Sequence, residues 1–300
     1  MNRQLYSAAA ILLLAMAPKC SMEQKMNFEK LEYFNAELEE APQTLTINNA
    51  GEAFYESHTN VHQPDRPEIG NYQTTLGAAE LSSLRNRLSN PPFRDLPDHW
   101  GKVMPSDRYK RIRVTVGAES LEKLFGTSGQ ITPAAADLID YLNQLATEVS
   151  RTPRQTLRGD LSQIAVNSQR RLTVTLTLFN DGIQPTFCRH PANMLGAPDG
   201  HLKLEAWPDK PVGSLSANDV MTFPVEQVTK PAPEASPANS LVIEIPPKGS
   251  ASLRLEAQFP GASAGAYLIR ISYESLVRQL DGRLLVYGEL FSRTIKASVP

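Results

Sequence analysis

Cysteine is nearly absent from this 300-residue chain. Only Cys20 and Cys188 occur, so no disulfide framework holds the fold and packing must do so. Histidine is scarce as well, five in all, which leaves little material for a histidine-built metal centre. Charge of neither sign is in excess. The 30 basic residues against 32 acidic ones give a formal −2, so nothing in the composition attracts nucleic acid or anionic lipid. The apolar run at the N-terminus, Ala8 to Ala17, is well short of the ~20 residues that a membrane-spanning helix needs. No glycine-rich phosphate loop, dinucleotide fingerprint or calcium loop occurs, and nucleotide chemistry therefore has no support.

What is present is ordinary globular material. Hydrophobic residues make up 41% and charged residues 21%, and the length accommodates two domains. Arg3 followed by the Ala8 to Ala17 run has the form of a secretory signal, so residues 1–21 read as a signal peptide or N-terminal anchor and the protein as exported. Ala15-Met16-Ala17 supplies a small-x-small cleavage pattern, while Pro18 after it opposes cleavage. Cys20 stands where a bacterial lipoprotein carries its acylated cysteine, although Pro18 and Lys19 replace the small residues of that signal. Cys20 is thus a candidate for lipidation, and Cys20 with Cys188 for a disulfide in an oxidising compartment. A start at Met22 or Met26 would instead leave a cytosolic protein.

Residues 22–42 are rich in Glu and Lys, and Phe28, Leu31, Phe34 and Leu38 recur at helix-compatible spacing, which predicts a short helix or a tether. From 43 to 153 the pattern is mixed. A hairpin turns at Asn49-Ala50-Gly51, a strand covers Asn71 to Thr75, and Leu81, Leu84 and Leu88 mark an amphipathic helix stopped by Pro91-Pro92. Arg111 to Gly117 (RIRVTVG) alternates as a half-buried strand. Thr132-Pro133 then opens a helix whose apolar face is Leu138, Ile139, Leu142, Leu145 and Val149. These elements predict an α+β domain, an antiparallel sheet with two helices. Their order, including PSDRYKRIRVTVG, resembles small domains of unknown function in bacterial exported proteins, and the resemblance implies a fold without an activity.

From 154 to 300 the period becomes alternating. Leu161 to Val166, Arg170 to Asn180, His201 to Trp207, Leu241 to Ile245, Ser252 to Phe259, Ala266 to Glu274 and Arg283 to Ile295 read as strands. The Pro-, Ala- and Ser-rich stretch 208–239 reads as a long exposed loop. The segments LFNDG, IPPKGSASLRLEA and GAYLIRISY resemble those of an immunoglobulin- or fibronectin-like β-sandwich. That resemblance implies a corner tyrosine at Tyr267, whose hydroxyl bonds back to the chain.

Apparent catalytic motifs have plainer explanations. Gly261-Ala262-Ser263-Ala264-Gly265 has the G-x-S-x-G form, but a strand follows it where a nucleophile elbow needs a helix. Ser120 and Lys123 fit S-x-x-K, and Ser216-Ala217-Asn218 fits its S-x-N companion, yet the third element is missing because Lys248-Gly249-Ser250 has the wrong order. His58 and His62 are four apart without H-E-x-x-H, and Cys188, His190 and His201 could bring at most three ligands together. Arg108, Lys110, Arg111 and Arg113 form a basic cluster, in which Arg111 and Arg113 alternate with Ile112 and Val114 as the solvent face of a strand would.

No catalytic residue, cofactor or metal ligand is therefore assigned. The expectation is a non-enzymatic exported protein, periplasmic, envelope-bound or secreted, that binds a protein or other envelope partner. It would meet the membrane only through its N-terminal signal, anchor or lipid. Two alternatives are a protein inhibitor or immunity protein of a hydrolase, and an enzyme whose site is dispersed between the two domains.

Overall fold

The computed structural model describes residues 26–36, 43–60, 68–101, 109–126, 130–211, 215–229, 240–260 and 263–300. The first half contains β1 (Lys30–Asn35), β2 (Gln43–Asn48), β3 (Glu52–Ser57), β4 (Glu68–Thr75), α1 (Ala78–Ser89), β5 (His99–Trp100), β6 (Tyr109–Val116), β7 (Glu119–Gly126) and α2 (Pro133–Val149). The second half begins with β8 (Pro153–Val166), β9 (Arg171–Phe179), β10 (Thr186–Arg189), β11 (Gly200–Pro208), β12 (Met221–Pro224), β13 (Gln227–Thr229) and β14 (Val242–Ile245). It ends with β15 (Ser250–Gln258), β16 (Gly265–Ser275), β17 (Gln279–Leu280), β18 (Arg283–Leu284), β19 (Gly288–Phe291) and β20 (Ile295–Val299). The fold is β-rich, with two α-helices among the described residues. Neither is long and apolar enough to cross a membrane.

One eleven-stranded sheet, ordered β13-β15-β9-β8-β4-β3-β2-β1-β6-β7-β5, runs through both halves. The halves join where β4 pairs antiparallel with β8, with Ile69 opposite Leu157 and Asn71 opposite Gln155. Strand alternation then explains why there are two cores. Side chains two apart share a face, so Ile69 and Tyr72 lie on opposite sides of β4. Tyr72 joins the core formed with α1 and α2, where Leu84, Leu138 and Leu142 meet Leu45, Tyr55 and Ile112. Ile69 joins the other core, where Leu157 and Leu176 meet Leu204, Ile271 and Leu290. The helices thus cover one face of the large sheet. The five-stranded sheet of β12, β11, β16, β19 and β20 covers the other face further along.

Both helices follow from their sequences. Thr132 caps α2 by accepting from the Ala135 amide, and Pro133 occupies the first turn, where no amide partner is needed. At the start of α1 the Glu80 carboxylate accepts from the Gly77 amide. The two helices meet through Tyr141, whose hydroxyl donates to Glu80 O at 2.9 Å, and through the Arg87–Asp137 ion pair at 2.8 Å.

Three sequence expectations need correction. Lys30–Asn35, within the stretch 22–42 expected as a helix or tether, is strand β1. Leu31 and Tyr33 face the core while Glu32 faces away, so a period of two wins over the helical spacing of Phe28, Leu31 and Phe34. The stretch 208–239 is not all loop. Phe223 and Val225 are buried in alternation, and the chain pairs first with β11 as β12 and then with β15 as β13. Residues 230–239 lie outside the described residues. The single strand expected over Arg283 to Ile295 is three, β18, β19 and β20, because the β17–β18 hairpin turns away from the sheet before β19 rejoins it.

Candidate functional site

Where the five-stranded sheet ends, the large sheet emerges with one face that no element among the described residues covers. Cross-strand register puts Asn71, Glu56, Thr44, Phe34 and Arg111 in one row on that face. The step between covered and uncovered sheet is a cleft of about 360 Å³. Its floor is Glu56, His58, Gly70 and Asn71 from the first half, and its wall is Arg278, Gln279 and Leu284 to Tyr287 from the second.

Two glycines bring these halves close enough. A Cβ on Gly288, at φ +121°, would lie 2.0 Å from the His58 carbonyl oxygen. Without it, the Glu289 amide donates to that same oxygen at 2.8 Å. A Cβ on Gly70, at φ +138°, would lie 2.2 Å from Gln155 O on β8. Asn60 completes the junction. Its Nδ2 donates to Phe291 O at 2.8 Å and its Oδ1 accepts from Phe291 N at 2.7 Å.

His58, nearly buried, stacks on Tyr287 with ring centroids 4.3 Å apart, and His58 Nε2 shares a hydrogen bond of 3.0 Å with the Tyr287 hydroxyl. Glu56 Oε2 lies 3.6 Å from the same nitrogen. The adjacent His58 ring holds the Glu56 carboxyl below the usual carboxylate value, with Arg278 adding to it and burial opposing it. Burial raises the Tyr287 hydroxyl above its ordinary value, and Arg278 works against that rise. The exposed Arg278 guanidinium sits 4.6 Å from the Tyr287 ring centroid and donates to its hydroxyl. The hairpin leaves Leu284 75% exposed and Leu276, just before it, 59% exposed, far beyond what packing explains. Asp281 and Gly282, both at positive φ, make the tight turn that pushes it outward.

The structure disperses the sequence candidates. Cys20 and His62 lie outside the described residues. Cys188 is a free thiol buried in the second core, and desolvation pushes it up to about 12, so it is inert as a nucleophile. His190 caps a short 3₁₀ turn by accepting from the Ala192 amide. Among the described residues no group of three or more His, Cys, Asp and Glu could hold a metal ion.

Ser263 uses its carbonyl to accept from the Tyr267 hydroxyl at 2.9 Å. Ser120 and Lys123 are three apart on strand β7 and so face opposite ways. Lys123 is buried, with its ammonium on the Leu96 carbonyl and Asp98. Ser216 is held by Asp219 in a turn. In the basic cluster, Arg113 pairs with Glu122 at 2.6 Å and Arg111 lies over the Phe34 ring. Arg108 lies outside the described residues.

One constellation had no sequence signal. Ser272 Oγ lies 3.2 Å from His201 Nε2, and His201 Nδ1 lies 2.7 Å from Glu274 Oε2. Burial and Lys203 lower the His201 ring below its ordinary value against the pull of Glu274. The order resembles a hydrolase relay, but Ser272 is 3% exposed in the middle of β16. The chain beside it is paired on both edges, opposite Lys203 of β11 and Phe291 of β19, which occupies the amides that an oxyanion hole would need. The trio is a polar lock across strands. His58 to Tyr287 also escaped the sequence reading, because 229 positions separate the partners.

No family model matches the chain, and no curated protein matches it. Among solved structures, one matching chain is described as "AvmM Catalyzes Macrocyclization in Alchivemycin A Biosynthesis". It is 12% identical with a TM-score of 0.25 over 48% of this chain and 87% of that one, a similarity too low to carry any argument.

Proposed function

We propose that this is an exported, non-enzymatic protein of the periplasm, envelope or extracellular space that binds a protein partner through the cleft and hairpin at the seam. The exposed Leu276 and Leu284, rimmed by Arg278, Gln279 and Arg283, carry this reading. Apolar side chains held out on a rigid turn with a polar border are how protein interfaces place their anchors. Export rests on the Arg3 and Ala8 to Ala17 signal alone, with anchoring or lipidation at Cys20 as its variants.

In the same reading the first half is an α+β domain and the second an immunoglobulin-like sandwich. The Tyr267 back-bond and a core held between two sheets support the latter. An inhibitor or immunity protein is a special case, in which the hairpin would occlude a hydrolase. A second reading, an enzyme with a dispersed site, draws on Glu56, His58, Arg278 and Tyr287 meeting in one cleft. Their mutual bonds favour a held surface over a reacting one, since His58 and Tyr287 already satisfy each other.

Affinity capture from envelope and secreted fractions, comparing the natural chain with Leu284→Asp, tests the proposal. A partner retained by the natural chain and lost by the variant supports it. Equal recovery by both, or none by either, counts against it.

A further inference from the structure

We propose that the seam cleft binds a small zwitterion, an apolar amino acid or a short peptide, with its carboxylate on Arg278 and its ammonium on Glu56. The inference rests on reading this cleft as the binding site. It does not depend on the partner being a protein.

The cleft's volume of about 360 Å³ suits a ligand of this size. Its polar groups come from opposite sides. Glu56 rises from the sheet floor and Arg278 stands on the hairpin wall. Arg278 is already oriented, because its guanidinium lies over the Tyr287 ring and one of its N–H groups donates to the Tyr287 hydroxyl. A guanidinium carries five N–H donors, so the fork retains donors for a carboxylate in the cavity it lines. Glu56 is a carboxylate on the cavity floor, with His58 Nε2 3.6 Å away. A simple anion would meet this second negative charge, and a simple cation would meet Arg278. A ligand with both charges satisfies each group. Leu284 and Leu285 form the apolar part of the wall, which fits an aliphatic side chain beside the charged ends.

Calorimetric titration of the full chain with leucine, the Leu-Leu dipeptide, N-acetyl-leucine and leucine amide tests this. Leucine or the dipeptide binds, and whichever binds more tightly identifies the free amino acid or the peptide as the source. Either blocked analogue, lacking one charge, is at least tenfold weaker. Arg278→Gln and Glu56→Gln each weaken the zwitterion at least tenfold while leaving the melting temperature near that of the natural chain. The proposal is overturned if the blocked analogues bind as tightly as leucine, or if neither leucine nor the dipeptide gives heat at millimolar concentration. Should both ligands fail while Leu284→Asp still abolishes partner capture, the ligand assignment falls and partner binding stands. Should the zwitterion bind while capture is unaffected by Leu284→Asp, the reverse holds.

Discussion

The two cores are built on opposite principles. In the first, one sheet face is closed by α1 and α2 while no described element covers the other; in the second, two sheets enclose the side chains between them. Because the covering layers lie on opposite faces of one continuous sheet, a step forms where one ends. The cleft is that step. Its residues are therefore fixed by the junction of two architectures, and neither half could form it alone.

The strongest way to break this comparison is to force the halves apart. Gly288→Val places side-chain atoms where the His58 carbonyl lies, at a positive φ that a branched residue resists. It should lose about 3 kcal/mol or more, read by denaturant unfolding. Next in size, Leu45→Ala in the first core and Leu204→Ala in the second should each cost about 2–5 kcal/mol. Since β4 gives Tyr72 to one core and Ile69 to the other, calorimetry should show a single transition moved by either variant. Two transitions, each moved by one variant only, would separate the halves.

A third test uses the buried thiol. With Cys188 raised to about 12, stability from this group is level below the ordinary thiol value and falls as pH climbs toward 12, because only the unfolded chain can ionise there. The melting temperature of Cys188→Ala should decline less steeply over that range. Thiol reagents at pH 8 should label this residue only when the chain is unfolded. Smaller still, Thr132→Ala removes the α2 cap and should cost about 1 kcal/mol. Arg113→Ala, on the exposed face of β6, should cost about 0–1 kcal/mol because half-exposed ion pairs contribute little.

Much of the local structure was legible in the chain. RIRVTVG became β6 because its alternation matches a one-sided strand, and α2 followed from a capping threonine and an unbroken apolar face. Errors arose where two periods overlapped, as in β1, or where strands were short, as in β12 and β13. Strand β7 was hidden because Lys123 interrupts its buried face, and only the fold supplies the Leu96 carbonyl and Asp98 that receive the charge. The cleft was not legible, since His58 and Tyr287 meet only through β19 returning to the end of β3. The one local signal was Asp281-Gly282 between Leu280 and Leu284, a tight-turn pair flanked by apolar residues.

Site-directed photocrosslinking in intact cells addresses the central claim most directly. A crosslinker is placed at Leu284 on the hairpin and, in a second chain, at Ile183, which is also highly exposed but is not among the residues lining the cleft. The account predicts one discrete adduct from position 284, suppressed by Arg278→Gln, and none from position 183. The same adducts from both positions, or none from position 284, would contradict it.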